Sequence, residues 1–318
     1  MSGYVAGRLA QVVPLLLLVS VASFALLRLA PGDPAALVYG GEVPAEELAA
    51  IRQAWGLDLP LPAQYGRWLS RAAVGDFGRS YADGRPALQV VLDRVPATLL
   101  LTVSALVLAV LVGISLGAWA GWRPGSLVDH SLLAGATVVA AVPGFWLGLV
   151  AILVFSVALG WLPSAGIVSA RGEVGLADRL AHLAMPCAVL ALREAAALFR
   201  YTRSAVREAA GSDYARTARA KGLREVAVLR AHVLRNALLP AITVVGLFIP
   251  RLLSGSVVVE TLFAWPGMGR LAIESAFRRD YSVLMAEIMA VGCLVAVTGL
   301  LVDLAYAAAD PRIRYRRP

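Results

Sequence analysis

The chain has 318 residues, of which 59% are hydrophobic and 16% charged, with a mean hydropathy of +0.74. Soluble domains run near half apolar and a quarter charged, so these values exclude an ordinary water-soluble protein and make lipid the solvent for much of the chain. The net charge of +8 comes from unevenly placed positive residues, which points to membrane topology rather than nucleic acid, and two cysteines in apolar stretches, Cys187 and Cys293, exclude a disulfide framework and a cysteine-based metal site.

Six nearly charge-free stretches are long enough to cross a hydrocarbon core of roughly 30 Å, which takes about 20 helical residues. They cover 9–29, 97–120, 131–159, 180–199, 237–259 and 282–308. An all-α polytopic bundle is expected, because lipid cannot satisfy open backbone groups and a barrel would show short alternating segments. The first stretch, preceded by Arg8, resembles a secretory signal but is long for one and lacks a clear small-x-small cleavage site before Pro31. It reads as a retained anchor, 1–30. A polar extracytoplasmic domain follows over 31–96, where Pro31, Gly32, Asp33, Pro34, Gly40 and Gly41 precede helical patterns near 45–55 and 62–73.

The remaining spans form a five-helix core over 97–308, followed by a tail, 309–318. Gly113, Gly117 and Gly121, and again Gly144 and Gly148, recur every fourth residue. That spacing gives either a face for close helix approach or the ordinary abundance of glycine in membrane helices. Pro143 and Pro250 remove amide donors inside spans and predict local kinks.

Charges within the spans are costly, on the order of 2.5–3.5 kcal/mol each at the bilayer centre. Arg193 and Glu194 lie in the fourth span, Arg251 in the fifth, and Glu287 and Asp303 in the sixth. Arg251 falls near mid-depth at about 1.5 Å of rise per residue. It either lines a pathway or pairs with Glu194, Asp303 or a partner subunit. Glu287 is expected at the membrane interface, and Asp303 near the inner surface.

Orientation follows from lysine and arginine. The segment 200–236 carries Arg200, Arg203, Arg207, Arg216, Arg219, Lys221, Arg224, Arg230 and Arg235, and the tail adds Arg312, Arg314, Arg316 and Arg317. Both belong in the cytoplasm, which with six spans puts both termini there and leaves 31–96, 160–179 and 260–281 outside. Lys221, the single lysine, lies between Ala220 and Gly222, so the chain holds no P-loop; His130, His182 and His232 form no metal-binding pattern, and no nucleophile elbow occurs. Any energy source is an ion gradient or another protein.

The segment 200–236 is too long to be a structureless loop. Leu223, Val226, Leu229 and Val233 recur at near-helical spacing, with Arg219, Lys221, Arg224 and Arg230 between them, and Gly222 suits a turn between two short helices. Such amphipathic helices bind either anionic lipid or a groove on another protein.

The run Asp213-Tyr214-Ala215-Arg216-Thr217-Ala218-Arg219-Ala220-Lys221-Gly222-Leu223, continued by 229–240, closely resembles the coupling loop of permeases from the dipeptide, oligopeptide and nickel branch of ABC importers. Arg216-Thr217-Ala218 replaces the general importer's Glu-Ala-Ala, and Gly222 stands farther from Pro240 than the general spacing, both as in the peptide branch. Blocks at 29–34, 56–61, 75–80, 143–148, 160–163, 260–270 and 310–312 are similar to family blocks in the same order.

That resemblance implies an inner-membrane permease of a prokaryote, pairing with a second, related permease. It further implies two ATP-binding subunits inside, which bind ATP and Mg while this chain binds no cofactor, and a solute-binding protein outside that delivers di- or oligopeptides, or else nickel. Residues Asp213 to Arg230 are then expected in a cleft of the ATPase, with Gly222 shaping a lever and the neighbouring arginines meeting ATPase carboxylates. Glu260 to Arg270 is expected as an outer turn, with Trp265 suited to the interface and Glu260 either meeting a cation or capping the fifth helix. Arg251, Glu260, Trp265, Arg193 and Glu194 are the candidates for pathway or gate.

Overall fold

The computed structural model describes residues 2–29, 44–169, 175–238 and 241–309, so the turn formers at 31–41, residues 239–240 and the arginine-rich tail lie outside the described residues. The described residues hold helices and a single isolated bridge, Arg79 with Pro86. In chain order the helices are α1 (Ser2–Leu29), α2 (Ala45–Trp55), α3 (Leu61–Ala72), α4 (Ala87–Leu92), α5 (Val95–Trp122), α6 (Leu127–Ala141) and α7 (Gly144–Ala151). A π-helical stretch, Ile152–Ala158, continues α7, and α8 (Leu176–Ala210) and α9 (Asp213–Ala220) follow. Next, α10 (Glu225–Ala227) runs through π-helical Val228–Leu234 into α11 (Arg235–Ala237). The last three are α12 (Ala241–Leu262), α13 (Met268–Phe277) and α14 (Tyr281–Ala309).

Five of these helices are long and apolar enough to cross a membrane, and α6 with the α7 segment makes a sixth only if a pair bent by 107° counts as one span. The expected kink at Pro143 is therefore a full break. Val142 and Pro143 are both extended (ψ 134° and 138°), as the residue before a proline prefers, and α7 restarts with the Pro143 carbonyl accepting from the Trp146 and Leu147 amides. Pro250, by contrast, sits inside the continuous α12. Large apolar side chains such as Leu18, Leu26, Val107, Leu111 and Leu301 are exposed on these helices, where lipid rather than water solvates them.

The chain clusters into two units. The first joins residues 1–96 to 270–297. In it Phe24, Tyr65, Trp68 and Phe77 form an aromatic cluster between α1 and the α3 region, and the Ser20 and Tyr65 hydroxyls lie 2.9 Å apart. Asp280 caps α14 by accepting from the Val283 amide at 3.2 Å, and its other oxygen accepts from Ser80 Oγ at 2.6 Å and the Tyr81 amide at 2.8 Å. Glu287 of α14 is buried, 3% exposed.

The second unit joins 97–269 to 298–318. Its core is built by α5, α8 and α12 around Leu101, Leu190, Leu198, Phe248, Leu252, Phe263 and Trp265. The every-fourth glycines of α5 are a contact face: a methyl at Gly113, Gly117 or Gly121 would lie 2.9, 2.7 or 2.6 Å from the carbonyl oxygens of Ala195, Phe199 and Arg203 on α8. Two backbones approach to that distance only where side chains are absent. At Gly148, likewise, a methyl would collide with the Leu262 side chain of α12.

Candidate functional site

The arginine-rich segment 200–236 folds as a small body on the end of α8. It has its own apolar core, in which Val206 and Ala209 of α8 meet Ala215 and Ala218 of α9, then Val228, Val233 and Ala237, with Ala118 and Trp122 of α5 against them. The apolar repeat expected at Leu223, Val226, Leu229 and Val233 is divided. Leu223 and Val226 are exposed, while Val228 and Val233 are fully buried. The reason is the π-helical stretch, whose wider turn brings residues five apart onto one face, whereas the expectation assumed a 3.6-residue period.

Gly222 ends α9 with φ +76°, and the Leu223 and Gly222 amides donate back to the Ala218 and Arg219 carbonyls at 3.3 and 2.9 Å. Those two bonds are a Schellman cap, which needs a residue in the left-handed region. Nothing lies within 4 Å of the position a Cβ would take there, so the demand is conformational and not spatial. Arg219, expected to reach outward, is turned onto its own chain: Nη1 donates to the Ala210 carbonyl at 3.0 Å, Nε to Glu225 at 3.0 Å, and the guanidinium lies 5.4 Å from the Trp122 ring centroid. The outward surface carries Asp213, Tyr214, Arg216, Thr217, Ala220, Lys221 and Leu223, all exposed, with Arg224 and Val226 beside them.

Beneath this body α8 is locked to α6. Arg203 donates through Nε to Asp129 Oδ1 and through Nη2 to Oδ2 at 2.8 Å. Asp129, 1% exposed, also accepts from the Gly125 amide at 3.0 Å, and its own amide donates to the capping Ser126 Oγ at 3.1 Å. Sequence reasoning counted Arg203 only as a positive-inside charge and missed Asp129. The available signal was Ser126-x-x-Asp129 ahead of an apolar run, a helix-start pattern.

Among the pathway candidates, the structure brings Arg193, Glu194 and Arg251 together and sets Glu260 and Trp265 apart. Arg193 and Arg251 are exposed and act electrostatically on the half-buried Glu194. No ion pair within 4.0 Å joins these three among the described residues, so of the alternatives open for Arg251 a direct pair with Glu194 is absent. The Arg193 stem also lies against Gly144 at the α6–α7 break.

Trp265, expected at the interface, is fully buried, as is Glu260. Thr98 Oγ1 donates to Glu260 Oε1 at 2.7 Å and accepts from the Met268 amide at 2.8 Å, and Trp265 Nε1 donates to the Ala97 carbonyl at 2.9 Å. A methyl on Gly267 would collide with the Glu260 carboxylate. The turn from Glu260 to Met268 is thus folded into the core by hydrogen bonds to the start of α5, where the buried carboxylate is hydrogen-bonded.

Residues 113–315 match the family described as binding-protein-dependent transport system inner membrane component, and residues 1–102 match the N-terminal region of such membrane components. The chain is 42% identical to the oligopeptide transport system permease protein AppB of Bacillus subtilis (strain 168), over 99% of this chain and 100% of that one. It is 40% identical to the glutathione transport system permease protein GsiC of Salmonella paratyphi A, over 99% and 100% of the two chains. A solved structure of the MetNI methionine ABC transporter in an inward-facing conformation is similar in fold, with a TM-score of 0.58 at 18% identity, covering 71% of this chain and 98% of that chain. A multi-helix membrane bundle and a match along its whole length together make this chain a member of the binding-protein-dependent transport system inner membrane components, the permease family that its loop resembles.

Proposed function

We propose that this chain is the permease subunit of an ATP-driven peptide importer, carrying no ATPase site of its own and working with a second, related permease, two ATP-binding subunits and an external solute-binding protein. Relatives named for oligopeptide and glutathione transport favour peptides over nickel as cargo. The observation that carries the reading is the body at 200–236, a self-packed, glycine-capped pair of short helices mounted rigidly on α8 and α5. Its outward face sets apolar Tyr214, Leu223 and Val226 among Arg216, Lys221 and Arg224, a composition suited to a protein groove with an acidic rim. On this reading the body and both ends of the chain are cytoplasmic.

Closure of the paired ATPases pushes the body as a unit, and the push reaches α8 directly through Val206 and Ala209 and α6 through the Asp129–Arg203 pair. The α6–α7 break, the α8 face bearing Arg193 and Glu194, and Arg251 of α12 lie along that route and line the solute pathway. Glu260 and Trp265 set the shape of the outer turn instead of touching cargo.

The test is cysteine cross-linking of Lys221→Cys to the ATPase subunit in membranes, combined with impermeant labelling from each side. Cross-linking that changes in yield with ATP supports the lever. Labelling of that cysteine from outside intact cells would overturn the orientation and the lever together.

A further inference from the structure

The helix α8 has two unlike faces. One is close-packed, with Leu190, Leu198, Thr202, Val206 and Ala209 buried. The other carries Arg193, Arg200 and Arg207 at seven-residue spacing, all exposed, with exposed Ser204 between the last two. Seven residues is nearly two turns, so the three guanidinium groups descend one side of the helix in steps of about 10 Å. Arg251 of α12 joins the upper end, where it and Arg193 act on Glu194.

No carboxylate stands within 4.0 Å of any of these four arginines among the described residues. The positive-inside rule accounts for Arg200 and Arg207, at and beyond the end of the span 180–199, but not for Arg193 and Arg251, which lie within the spans 180–199 and 237–259. Unpaired guanidinium groups within a span require water or a mobile anion. Against the single Glu194, the upper group has an excess of positive charge.

We propose, on the strength of the pathway reading above, that this ladder is a transit site for the free carboxylate of the cargo, taken first by Arg193 and Arg251 and passed toward Arg200 and Arg207. Guanidinium suits the role because its planar fork pairs with carboxylate bidentately. Wide spacing and partial hydration keep each step weak enough for release, as conduction through successive sites requires.

The experiment uses the complete transporter with its ATPases and binding protein in proteoliposomes. The probes are trialanine and trialanine with an amidated C-terminus, each at a binding-protein concentration that saturates it by separate measurement. The free acid is expected to enter about tenfold faster than the amide, the worth of one charge-assisted hydrogen bond. Arg193→Gln with Arg251→Gln slows the acid by a larger factor than the amide and brings the two rates together, whereas Arg193→Lys with Arg251→Lys keeps a preference for the acid. Equal slowing of both probes by the glutamine variant overturns the carboxylate site while the face remains in the pathway. Unchanged entry of both removes the pathway reading as well. A wild-type rate that follows the anionic lipid content of the vesicles and ignores the peptide terminus assigns the ladder to lipid and overturns the proposal.

Discussion

At Gly117 a methyl would lie 2.7 Å from the Phe199 carbonyl oxygen, whereas at Gly222 nothing stands within 4 Å of the same position. The first glycine sits in a straight helix and exists to be small. The second sits in an exposed turn and exists to hold φ at +76°. The packed region, where α5 and α8 touch backbone to backbone, is therefore intolerant of volume. The hinged body, whose core is its own, tolerates volume at the turn but not a change of backbone conformation. On the lever proposed above, the first region passes the push on because it is close-packed, and the second takes it up because its cap fixes the angle between two short helices.

The largest expected effect tests whether the packed region is held by more than close approach. Asp129→Ala leaves the partly enclosed Arg203 guanidinium without its partner and should cost about 3 kcal/mol, read as a fall in the thermal stability of the purified complex. Asp129→Leu combined with Arg203→Met should recover most of that loss; no recovery would mean that the pair acts through its hydrogen bonds to the Gly125 turn rather than as a charge pair. Next in size, Gly117→Ala should cost about 1–3 kcal/mol from overpacking, again visible in melting, with Gly222→Ala showing no comparable loss of packing.

Smaller still, Gly222→Val forces a β-branched residue into the left-handed region at about 1–2 kcal/mol. Uptake should fall while ATP hydrolysis persists and the chain still inserts; normal uptake would sink the lever. Asn, which visits that region more readily, should retain most transport at the same position. The smallest effect is expected for Arg219→Gln, which removes a partly exposed ion pair and a ring contact together worth about 1 kcal/mol, measured as faster proteolysis of the body at unchanged global stability.

Much of this protein was legible along the chain, and the reasons are local. Five of the six spans lie where unbroken apolar length put them, because lipid excludes every other backbone arrangement. The turn at Gly222 and the two short helices around it follow from a glycine between amphipathic runs. The apolar repeat after Gly222 misled, since a π-helical turn changes which residues share a face and no residue type signals it. Pro143 announced a perturbation but not its size. Asp280 and Asp129 each preceded an apolar run, yet their partners Ser80 and Arg203 are 200 and 74 residues away in sequence.

By itself, the sequence determined the solvent, the class of fold, the family and the place of the basic body, all of which depend on composition and short-range pattern. Only the tertiary structure decided which charges are paired inside and which stay on the surface. Arg203, Arg219 and Glu260 find partners within the second unit, while Arg193, Arg200, Arg207 and Arg251 stay on its surface. A charge is read from one residue, but its cost depends on what the fold brings within a few ångströms of it.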